Sequence, residues 1–250
     1  MKNKNIIISG SEGLLGTSYR NFIEKECKNL FCLDIKNIKR KNYYKCDITN
    51  ENQVKNVVES ISKKHTIDIL INNASYNPIA KNNMRPFKFV NYSLNEWKKN
   101  ISVDLIGSFL LSKYVLRIFE KKNKGKIINI SSIYALLGPD QEIYSLSKFK
   151  KYSGYKKVEY SVAKAGILGF TKSLASYYKG SEIQIVCLIF GGVENNQPNF
   201  FIKKYEKKTI NNRMARIGEY NEYLKFYSSD KASYSSGSCI IVDGGALSFF

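Results

Sequence analysis

The chain has 250 residues, 43% apolar and 24% charged, with 40 Lys and Arg against 21 Asp and Glu. That composition excludes wholesale disorder and collagen-like repeats, and no apolar run approaches the ~20 residues that span a bilayer. The start, Met-Lys-Asn-Lys-Asn, runs directly into Ile6-Ile7-Ile8, too little for a secretory signal, so a cytoplasmic protein with no membrane partner is expected. Five scattered cysteines (27, 32, 46, 187 and 239) and one histidine, His65, predict free thiols and no metal site. His65, after Lys63-Lys64, reads as an exposed helix end. The formal charge of +19 comes from 34 Lys and only six Arg, dispersed along the chain. Base readout favours Arg, so no nucleic-acid partner is expected; a Lys-rich exterior attracts small anionic ligands instead.

Short apolar runs alternate with stretches of helical periodicity. In chain order, Asn5–Ser9 reads as a strand, Leu14–Glu26 as a helix, Leu30–Asp34 as a strand and Asn52–Lys64 as a helix capped by Asn50. Ile67–Asn72 reads as a strand, and Leu94–Lys122 as a helix that Ser93 caps with Glu96 completing a capping box. Lys126–Ser131, Val158–Tyr178, Ile183–Ile189, Glu219–Ser228 and Cys239–Val242 continue the alternation. Near-continuously apolar strands between helices predict an α/β fold, a doubly wound parallel sheet with helices on both faces. All 250 residues are expected to form one domain. In such sheets ligands bind beyond the carboxyl ends of the strands.

The first strand leads into Gly10-Ser11-Glu12-Gly13-Leu14-Leu15-Gly16. Gly10 permits the tight turn, Gly13 lets the backbone approach a diphosphate, and Gly16 lets the helix pack on the sheet. The N–H groups along Glu12, Gly13, Leu14 and Leu15, with the helix dipole, attract the anion. Asp34 follows Gly16 by 18 residues at the end of the second strand. There a carboxylate accepts hydrogen bonds from the adenosine ribose and repels a 2′-phosphate, which favours NAD over NADP. Further on, Tyr160-Ser-Val-Ala-Lys164 places a phenol and an ammonium on one helical face. An adjacent ammonium, together with the positive nicotinamide of an oxidised cofactor, would favour phenolate and lower a tyrosine pKa toward the range useful for proton transfer.

These motifs together resemble the short-chain dehydrogenase/reductase family. In order they are the Gly-rich turn, Asp34, Cys46-Asp47-Ile48-Thr49, Ile71-Asn72-Asn73-Ala74-Ser75, Asn129-Ile130-Ser131-Ser132, Tyr160 to Lys164, Gly191-Gly192-Val193 and Val242-Asp243-Gly244-Gly245. The resemblance implies a Rossmann-like fold and an oxidoreductase in which Ser132 bonds the reacting oxygen and Tyr160 is the general acid or base. Lys164 would bind the nicotinamide ribose and tune Tyr160. Asp47 and Ile48 would flank the adenine, Asn73 and Ala74 would contact the ribose side, and Val193 would hold the carboxamide through its backbone. Asp104 stands where the family usually has the Asn of its catalytic tetrad, Ser75 replaces a Gly and Phe190 a Pro. An insertion near residues 140–157 is expected to border the substrate cleft, with a substrate loop near 193–217.

The insertion and the Gly191–Pro198 stretch are similar to a bacterial subgroup of flagellin-glycan and surface-polysaccharide oxidoreductases, including legionaminic-type acid pathways. That resemblance implies interconversion of a secondary alcohol and a ketone on a sugar or sugar-derived metabolite. A 3-oxoacyl-thioester reductase and a catalytically silent nucleotide-sensing module are the alternatives. Phe109, Leu110, Tyr114, Leu168, Phe170 and Tyr177 predict an apolar surface for a homodimer or homotetramer. A second Y-x-x-x-K match, Tyr144 to Lys148, lies nearer Ser132, but the apolar helix after Lys164 selects Tyr160.

Overall fold

In the computed structural model, which describes residues 1–77, 89–144 and 156–248, seven strands form one parallel sheet. They are β1 (Asn5–Ser9), β2 (Asn29–Asp34), β3 (Tyr43–Lys45), β4 (Ile69–Asn72), β5 (Lys124–Ser132), β6 (Glu182–Phe190) and β7 (Cys239–Val242), in the order β3-β2-β1-β4-β5-β6-β7. The helices are α1 (Leu14–Ile23), α2 (Glu51–Ser62), α3 (Leu94–Ile101), α4 (Gly107–Lys122), α5 (Val158–Tyr177), α6 (Asn199–Glu206) and α7 (Asn221–Ser228). Alternation along each strand sends neighbouring side chains to opposite faces. Ile7, Phe31, Leu33, Leu70 and Ile127 pack with α2 and α4, whereas Ile6, Ile8, Cys32, Ile71 and Ile128 pack with α1 and α7. Both faces are covered, which explains why the strands lack a polar side. The strand order reverses at β1, between β2 and β4, and opens a crevice at the carboxyl ends.

Several local expectations need correction. The edge strand β3 is missing from the sequence reading because Tyr43-Tyr44-Lys45 carries no apolar alternation; helix α6 is missing as well. Asn50 caps α2 by accepting from Gln53 N–H at 3.1 Å. Ser93 makes no such side-chain bond, and the Glu96 carboxylate, which would complete the box, is paired instead with Lys157, 3.0 Å away. The long helical pattern after Ser93 contains a π turn at Ser102–Ile106 that separates α3 from α4. His65 is half-buried, its ring 5.1 Å from that of Phe31. Of the apolar residues expected on an interface, Leu110 and Tyr114 are consumed by the chain's own core, while Phe109 and Tyr177 are exposed. No described helix is long and apolar enough to cross a membrane.

Candidate active site

The Gly-rich turn is shaped by close backbone approach. Gly10 has φ +65°, and a Cβ there would stand 2.6 Å from Ala74 Cα; a Cβ on Gly16 would run into the Gly10 carbonyl. Asn73 clamps the turn to β4, its Nδ2 donating to the Ser9 and Gly10 carbonyls at 3.0 and 3.1 Å. Ala74 N–H donates to Ser9 Oγ. Gly13 begins α1, whose first turn has no acidic residue and no side-chain cap. Of the N–H groups expected to meet an anion, that of Glu12 is spent on Asp34 and that of Gly13 on the Gly10 carbonyl, at 2.9 and 3.2 Å, which leaves those of Leu14 and Leu15 at the helix start for an external anion.

Asp34 is buried at the end of β2, with one oxygen accepting from Glu12 N–H at 2.9 Å and the other from Lys36 N–H at 3.2 Å. It therefore braces the turn while keeping lone pairs for a ribose. Sequence reasoning gave Glu12 only a backbone part. Its carboxylate lies 3.3 Å from Arg20 Nε and 2.8 Å from Arg40 Nη1, with little exposure on the first pair. Asp47 closes an Asx turn, accepting from Thr49 N–H at 2.9 Å and from Thr49 Oγ1 at 2.7 Å. Ile48 is buried against Gly107.

At the β4–β5 end, a polar network spans the sheet. Asn72 Nδ2 donates to Asn129 Oδ1 at 2.8 Å, and Asn129 Nδ2 donates to Thr171 Oγ1 on α5 at 2.9 Å. Ser131 Oγ donates to the Lys164 carbonyl at 2.9 Å, which fixes the register of α5 on β5. Ser132, Tyr160, Lys164 and Asp104 converge there. Ser132 hydrogen-bonds Tyr160, and Lys164 Nζ stands 3.1 Å from Asp104 Oδ2 and 3.2 Å from the Ile130 carbonyl. Asp104 sits in the π turn, fully buried, and also accepts from Ser75 Oγ at 2.6 Å and Tyr76 N–H at 2.7 Å. Its own carbonyl is taken by Ser108 Oγ at 2.7 Å. π turns of this kind often mark functional positions.

Among the protein's own groups, burial outweighs the pull of the Lys164 ammonium at Tyr160. Burial, the largest influence, pushes the phenol up; Lys164 opposes it, Asp104 reinforces it, and the Ser132 hydrogen bond opposes it. The net shift is upward. Burial also works against the Lys164 charge, but Asp104 and Tyr160 outweigh it and raise that ammonium's pKa. Burial first, with the Asp104 carboxylate adding to it, is why the lysine does not bring the phenol down.

Lys156 went unnoticed in the sequence. Its Nζ stands 3.6 Å from the Tyr160 ring centroid and donates to Asn77 Oδ1 at 2.6 Å. Only the run of lysines could have flagged it, and that run resembled surface. Tyr144 lies beside the site, its hydroxyl 2.8 Å from that of Tyr134, whose ring meets Tyr160 edge-on at 6.5 Å. Lys148, the partner in the second Y-x-x-x-K match, lies outside the described residues, as do Tyr152 and Tyr155. On the loop after β6, Val193 bridges Ala215, and its carbonyl accepts from Gln197 Nε2 at 2.8 Å. Gly192 N–H donates to Tyr205 on α6. Among the described residues no cluster of His, Cys, Asp or Glu could hold a metal ion.

A parallel sheet with a glycine-lined crevice and a Ser-Tyr-Lys cluster at its carboxyl end is the architecture of a nucleotide-dependent oxidoreductase. Residues 23–151 match the family model described as short chain dehydrogenase, and residues 150–246 match one described as Enoyl-(Acyl carrier protein) reductase. The chain belongs to the short-chain dehydrogenase family and is an oxidoreductase of that family. It is 32% identical over 206 residues to a 3-oxoacyl-(acyl-carrier-protein) reductase of Buchnera aphidicola, covering 80% of this chain and 75% of that protein. Similarity to the post-translational flagellin modification protein A of Campylobacter coli is 26% over 246 residues, 98% of this chain and 90% of that protein. A short chain dehydrogenase from Leptospira borgpetersenii, solved with bound NAD+, superposes with a TM-score of 0.83 at 29% identity, covering 98% of this chain and 93% of that one.

Proposed function

We propose that this chain is one catalytic unit, an NAD-dependent oxidoreductase that interconverts a secondary alcohol and a ketone on a sugar or sugar-derived metabolite of surface-glycan biosynthesis. The convergence of Ser132, Tyr160 and Lys164 beside the glycine-lined crevice carries the reaction type. Bound NAD supplies the hydride acceptor. Ser132 holds the substrate oxygen, and Tyr160 takes the hydroxyl proton during oxidation or returns it to the carbonyl oxygen during reduction. Lys164 holds the nicotinamide ribose and the phenol, and Asp104 fixes Lys164. The backbone N–H of Val193 faces the carboxamide, Asp34 the adenosine ribose, and Asp47, Ile48, Asn73 and Ala74 the adenine and ribose walls.

The glycan assignment is supported by the flagellin modification protein, because that similarity runs through 98% of this chain, insertion included. A 3-oxoacyl-thioester reductase is the second reading, favoured by the 32% identity over a shorter span. Turnover of acetoacetyl thioesters with NADPH alone, and of no sugar, would select the second reading.

Tyr160→Phe keeps the ring and removes the proton. It is expected to lower turnover by roughly 10²–10⁴-fold while NADH still binds. An active Tyr160→Phe protein together with an inactive Tyr144→Phe protein would reverse the assignment. Exposed Ile106, Phe109, Val162 and Tyr177 on the π turn, α4 and α5 support association of two or four copies in the cytoplasm. Light scattering across micromolar concentrations should give at least twice the chain mass, and a monomer throughout would reject association.

A further inference from the structure

The substrate side of the site holds a cation that the chemistry above does not use. Lys156 Nζ, 3.6 Å above the Tyr160 ring, has Asn77 Oδ1 as its hydrogen-bond acceptor and makes no ion pair among the described residues. Its backbone is fixed from both sides by one amide. Lys156 N–H donates to Gln141 Oε1 at 2.9 Å, and Gln141 Nε2 donates to the Lys156 carbonyl at 3.1 Å. A surface lysine needs no such anchoring. Neither nearby carboxylate pairs with it: Asp104 is committed to Lys164, Ser75 and Tyr76, and buried Glu159 approaches only Lys157, at 3.8 Å. The chain adjoining Asn77 and Lys156, residues 78–88 and 145–155, contains six Lys or Arg and no Asp or Glu. No acidic side chain from those segments can neutralise this ammonium.

We propose that Lys156 is the anion-recognition residue of the substrate subsite, and that the substrate carries a carboxylate on, or one bond beyond, the carbon that reacts. The inference rests on the oxidoreductase reading above and specifies the substrate class within it. Distance sets the position of the charge. A substrate oxygen bonded to the Tyr160 phenol places its own carbon, and the atoms one or two bonds away, within reach of an ammonium standing over the same ring. A carboxylate there restores the charge partner that the protein withholds, and it would discriminate against neutral sugars and simple ketones. Titration fits this arrangement. The groups facing Lys156 are the Tyr160 and Tyr134 rings, Lys164, Asp104 and Glu159. Burial, with the charge on Lys164 in second place, pushes the Lys156 amine down to about 7, against the opposing pull of Asp104 and Glu159. Carboxylate binding would therefore take up a proton near neutrality and weaken as pH rises past that value.

The test uses the NAD-loaded protein and a dead-end pair: 2-hydroxy-2-methylpropanoate, which has no hydrogen on its carbinol carbon, and its neutral amide. Calorimetry should show the carboxylate binding roughly tenfold or more tighter than the amide near pH 6, a preference that shrinks toward pH 9. Lys156→Met should erase the preference and Lys156→Arg should retain it. Gln141→Ala, which frees the backbone of Lys156, should weaken it. Equal binding of the two probes, absence of binding by both, or a preference that persists in Lys156→Met would each overturn the proposal. Tighter binding of methyl phosphate than of the carboxylate would overturn the carboxylate assignment. Failure of the underlying reading shows separately, as absence of NADH binding or as NAD-linked turnover that survives Tyr160→Phe.

Discussion

At the β1–β2 end of the crevice, the ligand-facing groups are mainly backbone: the turn from Gly10 to Gly16, braced by Asp34 and Asn73 from neighbouring strand ends. At the β4–β5 end they are side chains drawn from distant segments, with Asp104 from a π turn, Ser132 from β5, and Lys156, Tyr160 and Lys164 from α5 and its approach. The first end is organised by where a Cβ cannot fit. The second is organised by charge, with Asp104 and Lys164 locked together and Lys156 beside them. Geometry set by missing side chains is tolerant of its surroundings, whereas a cluster of buried charges changes character with every member. That contrast predicts where mutations change binding alone and where they change chemistry.

The largest effect at the backbone end should be on cofactor choice. In the proposed reading Asp34 would repel a 2′-phosphate; Glu12 occupies Arg40 and flanks Arg20, the cations that would otherwise receive one. Unmodified protein should bind NAD at least about tenfold more tightly than NADP. Asp34→Ala should narrow the gap chiefly by weakening NAD, because it also removes the braces on Glu12 and Lys36 N–H. Glu12→Gln should narrow it chiefly by strengthening NADP, since Arg40 is freed while the turn stays intact. Fluorescence titration with NADH and NADPH separates the two routes. Equal affinities in the unmodified protein would remove the basis for both, and turnover at saturating cofactor should change little in either variant.

The same contrast governs what could be read from the sequence. Gly10, Gly13, Gly16 and Asp34 form a local pattern whose meaning follows from the strand before it and the helix after it. The strands with uniform apolar runs were equally legible, because burial on both faces leaves no polar position. What escaped depends on packing between distant segments. β3 is short and half-buried, and α6 packs its apolar face against Met214 and, from a distant segment, Ile143 and Tyr144. Lys156 is one lysine among 34, and nothing in its neighbours in sequence distinguishes it from a solvated one. At Tyr160 the burial that pushes the phenol up, and the Asp104 carboxylate 56 residues before it that adds to this, arise from packing between distant segments and have no local signature.

A smaller, more diagnostic effect is expected at Asp104. Its carboxylate raises the pKa of Tyr160 and also that of Lys164. Asp104→Asn keeps an acceptor for Tyr76 N–H, lets the Ser75 hydroxyl reverse to accept, and leaves Lys164 its bond to the Ile130 carbonyl. The fold should therefore persist, with the negative charge gone. Removing that charge favours phenolate, so the Tyr160 pKa falls and the rising limb of the alcohol-oxidation pH profile should move toward acid. A freed Lys164 ammonium pulls in the same direction, and Lys156 above the ring adds to it as long as it is protonated. Lys156, its amine pushed down to about 7, is uncharged where that limb lies, so Asp104→Asn/Lys156→Met should leave the limb where Asp104→Asn puts it. A limb that stays fixed in Asp104→Asn would show that the carboxylate holds Lys164 in place without setting the proton affinity of the phenol, and the charge-built end of the crevice would then be organised by position alone.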